Sequence, residues 1–169
     1  MKKTLFLLLL ASLLSSAVSA QAFLSRVYIG GSAGVSVNSN YTDIAIHPIV
    51  GYRITDIISV GVLATYQYTY GKGNDRKANH YGGGIFWKAE VPIIPRTIGL
   101  VAHAEYSFLN SNIKEKDKEW SEFNNFLPVG VGLYTQSGRT RVSLVALWDL
   151  FHLKQYDSGG PTLRASITF

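Results

Sequence analysis

Three features of this 169-residue chain predict an all-β fold, an eight-stranded antiparallel up-and-down transmembrane β-barrel. Segments of about ten residues repeat a two-residue apolar/polar period, the mark of strands with one dry and one wet face. The connections between them alternate short and long, as in barrels that cross a membrane. The polar faces carry mostly Ser, Thr and Gly, whereas a soluble β-sandwich puts Lys and Glu on its water-facing side.

The first 20 residues, MKKTLFLLLLASLLSSAVSA, stand apart from this pattern. Lys2 and Lys3 precede a leucine-rich run, and Val18 and Ala20 occupy the small-residue positions before Gln21. That is the layout of a cleaved secretory signal peptide, and the run is short for a membrane-spanning helix. The barrel domain is therefore expected over residues 21–169. The chain has no cysteine, so disulfides and a lipid-modified N-terminal cysteine are excluded. The formal net charge of +5 falls to +3 without Lys2 and Lys3, which is not a nucleic-acid-binding balance.

Each strand follows from its alternation. In RVYIGGSAGVSV (26–37), Val27, Ile29, Ala33, Val35 and Val37 oppose Arg26, Tyr28, Ser32 and Ser36. In TDIAIHPIVGYRI (42–54), Ile44, Ile46, Pro48, Val50 and Tyr52 oppose His47 and Arg53. ISVGVLATYQYTY (58–70) sets Val60, Val62, Ala64, Tyr66, Tyr68 and Tyr70 against Ser59, Thr65, Gln67 and Thr69. HYGGGIFWKAEV (80–91) sets Tyr81, Ile85, Trp87, Ala89 and Val91 against His80, Phe86, Lys88 and Glu90. IGLVAHAEYSFL (98–109) sets Leu100, Ala102, Ala104, Tyr106 and Phe108 against His103, Glu105 and Ser107. NFLPVGVGLYT (125–135) places Leu127, Val129, Val131 and Leu133 together, and TRVSLVALWDL (140–150) opposes Val142, Leu144, Ala146, Trp148 and Leu150 to Arg141, Ser143 and Asp149. The eighth strand, in GPTLRASITF (160–169), alternates Leu163, Ala165, Ile167 and Phe169 with Thr162, Arg164, Ser166 and Thr168.

The connections at 54–57, 92–97 and 136–139 are short, whereas 71–79, 110–124 and 152–161 are longer and polar. Only the first outer connection, about 38–42, departs from that rule. The uncharged face carries Tyr52, Tyr66, Tyr68, Tyr70, Trp87, Tyr106, Phe108 and Trp148 near strand ends, where amphipathic rings sit at a lipid–water boundary. The segments GYRITDIISVGV, HAEYSFLN and GPTLRASITF resemble those of small outer-membrane β-barrel proteins common in Bacteroidota. That resemblance implies a cell outer membrane location, contact with its lipids and lipopolysaccharide, and no assigned activity. The closing strand also resembles an outer-membrane assembly signal. The resemblance implies that Leu163, Ala165, Ile167 and Phe169 are read by the barrel-assembly machinery.

An eight-stranded barrel is filled by its own side chains. Arg26, Arg53, Lys88, Arg141 and Arg164 are expected inside, with Glu90, Glu105, Asp149, His47 and His103. Strand order suggests Asp149 with Arg164, and Lys88 with Glu105. The expected function is a structural or accessory role in the cell envelope; the alternatives are a lipid-modifying enzyme and a narrow gated channel. His103, Glu105 and Ser107 share a face, but His103 and Ser107 are about 13 Å apart along a strand, too far for direct activation. No enzyme activity, cofactor or metal is expected, since His47, His80, His103 and His152 show no ligand spacing. Two loops are candidate contact surfaces. The basic stretch 71–79 suits lipopolysaccharide headgroups, and 110–123 carries Trp120 as an anchor for another envelope protein or a glycan.

Overall fold

A computed structural model of the chain describes residues 23–37, 41–71, 77–95, 97–115, 118–151 and 161–169. The segment expected to be a signal peptide, His152 and most of the connections at 71–79 and 152–161 lie outside the described residues. The strands are β1 (Val27–Val37), β2 (Tyr41–Arg53), β3 (Ile58–Gly71), β4 (Lys77–Ile94), β5 (Ile98–Glu115), β6 (Lys118–Phe126), β7 (Pro128–Ser137), β8 (Thr140–Asp149) and β9 (Thr162–Thr168). All pairings are antiparallel, and β4–β5 and β1–β9 close the sheet on itself. Closure removes the unpaired edges that hydrocarbon would not solvate.

Segments β6 and β7 form one stave of an eight-stranded barrel, because both lie beside β5 in one register. Ser107 faces Phe126 and Ala104 faces Val129, so Leu127 and Pro128 interrupt the ladder without shifting it. Proline has no N–H to give to β5. The Leu127 amide turns instead to the Asp149 carboxylate, which accepts its N–H at 2.9 Å and that of Phe151 at 3.2 Å.

Alternation sorts the side chains into two shells. Outside lie Ile29, Ile44, Ile46, Val50, Val62, Leu100, Val131 and Leu144, all exposed. Inside, Tyr28, Ile49, Leu63 and Phe86 form one apolar cluster, and Val101, Tyr134, Val145 and Leu147 another. These large residues fit because small ones sit beside them on neighbouring strands. A Cβ on Gly51 would lie 2.1 Å from Cζ of Tyr28, and one on Gly61 would lie 2.5 Å from Cζ of Phe86. Each ring lies across a glycine, where close approach is possible only without a side chain.

Three connections are shorter than the sequence suggests. Strand β4 starts at Lys77 and runs through Ile94, β5 continues to Glu115, and β6 begins at Lys118. Much of 110–124 is thus a β-hairpin and not a loop. The period-2 signal was hidden there because the outer face turns polar. Asn110, Asn112 and Lys114 follow Tyr106 and Phe108 outward, while Leu109, Ser111 and Ile113 continue the buried inner face. The sheet therefore extends beyond its apolar belt. At the opposite end, β7 and β8 join through Gly138 and Arg139, with Gly138 at φ +60° as a two-residue hairpin turn favours.

Candidate functional site

Among the described residues, the barrel interior gathers ionisable side chains in three tiers. In the middle tier Glu105 on β5 is 2% exposed and takes three partners. It pairs with the Arg164 guanidinium of β9, accepts a hydrogen bond from Ser107, and lies 3.4 Å from His103 Nε2. Glu105 thus separates His103 from Ser107, and neither contacts the other as base and nucleophile would. Beside this group the His103 ring stacks on Phe86 at 5.9 Å, and His47 Nδ1 meets Thr65 Oγ1 at 2.9 Å. Lys88 faces His103 in the β4–β5 register and holds its ammonium 5.3 Å from the Phe86 ring centroid.

The tier near the short turns is built around Arg141 on β8. Its guanidinium pairs with Glu90 on β4, donates to Gln136 Oε1 at 2.8 Å and lies over the Tyr134 ring. Arg53 stacks over Tyr28, whose hydroxyl meets Ser59 Oγ at 3.2 Å.

A third tier, toward the β5–β6 hairpin, is a chain of hydrogen bonds. Thr69 has one hydroxyl proton and gives it to Asp43, so its oxygen accepts from His80 Nε2 at 3.0 Å. That tautomer leaves His80 Nδ1 to accept from Ser111 Oγ at 2.6 Å, and Asn124 Nδ2 donates to Ser111 at 3.3 Å. Sequence reasoning missed this chain. Asp43, Thr69, His80 and Ser111 are distant in sequence and meet only through strand register. The available signal was that each continues the polar face of its strand.

Several candidates sit differently from expectation. Arg26 is exposed, because it precedes β1 at the barrel lip, and it donates to the Ile54 carbonyl at 2.9 Å. Asp149 does not pair with Arg164; it accepts from Leu127 and Phe151, while Arg164 reaches Glu105. The Lys88–Glu105 pair is likewise replaced by Arg164–Glu105, because Phe86 is the residue directly opposite Glu105. Trp120 is half-buried on the same face of the hairpin as Ile113 and donates to Glu122 at 3.1 Å. The exposed aromatic of that hairpin is Phe123, at 68%, with its ring 6.2 Å from Phe108.

On the outer wall, Tyr66, Tyr68 and Tyr70 line the far end of β3, Trp148 the far end of β8, and Tyr52 the near end of β2, stacked on Phe23. Tyr106 and Phe108 mark where the wall turns polar. Trp87 is the exception, at mid-strand among Ile85, Ala89 and Val91. Leu163, Ala165 and Ile167 face outward on β9, and the Phe169 amide bonds to the Ile29 carbonyl at 2.9 Å. Leu144 is exposed mid-strand on β8. Leu144→Arg should cost about 2–4 kcal/mol of folding stability in lipid vesicles. Urea titration of the reconstituted barrel reads that loss, and an unchanged midpoint would argue against a lipid-facing wall.

No protein-family profile matches the chain, and no curated protein sequence matches it. The structure is similar to that of neisserial surface protein A, with a TM-score of 0.54 and 11% identity over 84% of this chain and 92% of that chain. The fold is that of an outer-membrane β-barrel. Other similar structures are the N-terminal β-barrel domain of Pseudomonas aeruginosa OprF (TM-score 0.49, 13% identity, 84% of this chain and 97% of that chain) and the outer membrane enzyme PagL (0.45, 16%, 84% and 98%). A barrel of this shape carries no activity by itself, so function rests on the site.

Proposed function

We propose that this chain is an integral protein of the outer membrane, exported through a cleaved signal peptide, with a structural or accessory role in the cell envelope. One observation carries the reading: ion pairs tie facing walls of the barrel together. Glu90–Arg141 links β4 to β8, and Glu105–Arg164 links β5 to β9. Around the eight staves each pair joins strands three apart, so both ion pairs reach across the lumen. Large apolar side chains, Phe86 and Leu147 among them, pack into the lumen between these pairs, which supports a plugged interior. Leu163, Ala165, Ile167 and Phe169 would be the segment handed to the assembly machinery, and lipid and lipopolysaccharide would surround the wall.

The test combines conductance with crosslinking. Purified barrels in planar bilayers are expected to give no conductance steps, and regular steps would replace the plugged barrel with a channel. Photo-crosslinkers at Phe123 and Trp148 in cells are expected to capture one reproducible envelope protein. Adducts to lipid alone at both positions would remove the accessory role.

A further inference from the structure

We infer that the barrel core contains a binding site for one small monovalent anion of chloride size. The interior holds a small cavity of about 20 Å³, lined among others by Lys88, Arg164, His103, Ser32, Ser143 and Ser166. A single water-sized particle needs roughly 10–15 Å³ by this measure, so the space suits one monatomic ion.

Charge balance specifies the sign. The charged groups acting on Lys88 are Glu90, Glu105, Arg141 and Arg164, two of each sign. Glu105 is committed to Arg164 and Glu90 to Arg141. Lys88 is left as one buried positive charge, 7% exposed, whose recorded contact is the face of Phe86. Arg53 does not alter this count, since it lies toward the lip and is partly open to water. An ammonium taken out of water without a counter-charge is costly, and a ring face offsets only part of that cost.

The hydrogen-bonding character of the lining agrees. Arg164 Nε is buried and has no hydrogen-bond partner among the described residues. Ser143 and Ser166 are 2.6 Å apart, so one hydroxyl proton closes that pair and the other is free to donate. The wall thus offers an ammonium, a guanidinium N–H and a hydroxyl, and each carboxylate nearby is already paired. Water could also use the serine oxygens as acceptors, so the uncompensated charge of Lys88 is what favours an anion over water.

The measurement uses the full folded barrel in detergent micelles. Its thermal midpoint is followed in sodium chloride and in sodium gluconate at equal ionic strength, since gluconate is too large for the cavity. Chloride at about ten times its dissociation constant should raise the midpoint by about 3–6 °C. Lys88→Met should abolish the difference between the two salts. If that variant does not fold, a bromide-soaked crystal of the unaltered protein answers instead, with an anomalous peak expected beside Lys88 Nζ. Equal midpoints in the two salts would overturn the site. So would a bromide-soaked crystal without a peak in the cavity, even if chloride raised the midpoint, because that rise would then come from the surface.

Discussion

Glu105→Ala is expected to lower the unfolding midpoint of the barrel by on the order of 10 °C. The carboxylate is the shared partner of Arg164, Ser107 and His103 in the middle tier. Removing it leaves the Arg164 guanidinium buried opposite nothing, with Lys88 close by. Breaking one side of a buried ion pair costs about 3–5 kcal/mol, most of it the desolvation of the charge left behind. That origin makes a second result predictable. Replacing both partners, as Glu105→Gln with Arg164→Met, removes the stranded charge and should lose less than Glu105→Ala alone. Heat-dependent mobility of the folded barrel on gels reads both variants. A midpoint shift under about 2 °C for Glu105→Ala would mean that water already reaches this tier, and the plugged core would have to be abandoned.

Phe86→Ala should be of similar size by a different route. The ring is 1% exposed and fills the lumen between Gly61, Lys88 and His103. Truncating a buried phenylalanine costs about 3–5 kcal/mol, from lost transfer energy and from the void it leaves. Here the void would adjoin the small cavity that Phe86 also lines. The prediction is therefore twofold: a lower urea midpoint, and the appearance of small ion conductance in planar bilayers. Loss of stability without conductance would show that the remaining ion pairs still seal the lumen. If stability did not change, Phe86 would not be the packing centre of that apolar cluster. Gly61→Ala is the complementary change, because its Cβ would press on the same ring. It should destabilise without opening a path.

The outer face shows why some of the molecule was legible from its residues. Ile44, Ile46 and Val50 alternate with Ala45, His47 and Ile49, and a pleated strand turns that alternation directly into two faces. The same logic failed in the β5–β6 hairpin. Asn110, Asn112 and Lys114 are polar on the outward side, so the strand continues without the apolar signal that marks one. Trp120 read as a loop anchor for the same reason. Pairing with Ile113 puts it on the inner face, and Phe123 takes the exposed position.

By itself the sequence determined the number of barrel strands, the two faces of the segments that alternate and the apolar character of the wall. These depend on local pleat geometry and on which solvent each face meets, and both are written in nearest-neighbour alternation. Only the tertiary structure decided who pairs with whom. Arg164 meets Glu105 across 59 residues of chain, and Arg141 meets Glu90 across 51. Those partners depend on register accumulated strand by strand around a closed sheet. A shift of two residues at any one pairing preserves every face and changes every contact across the lumen.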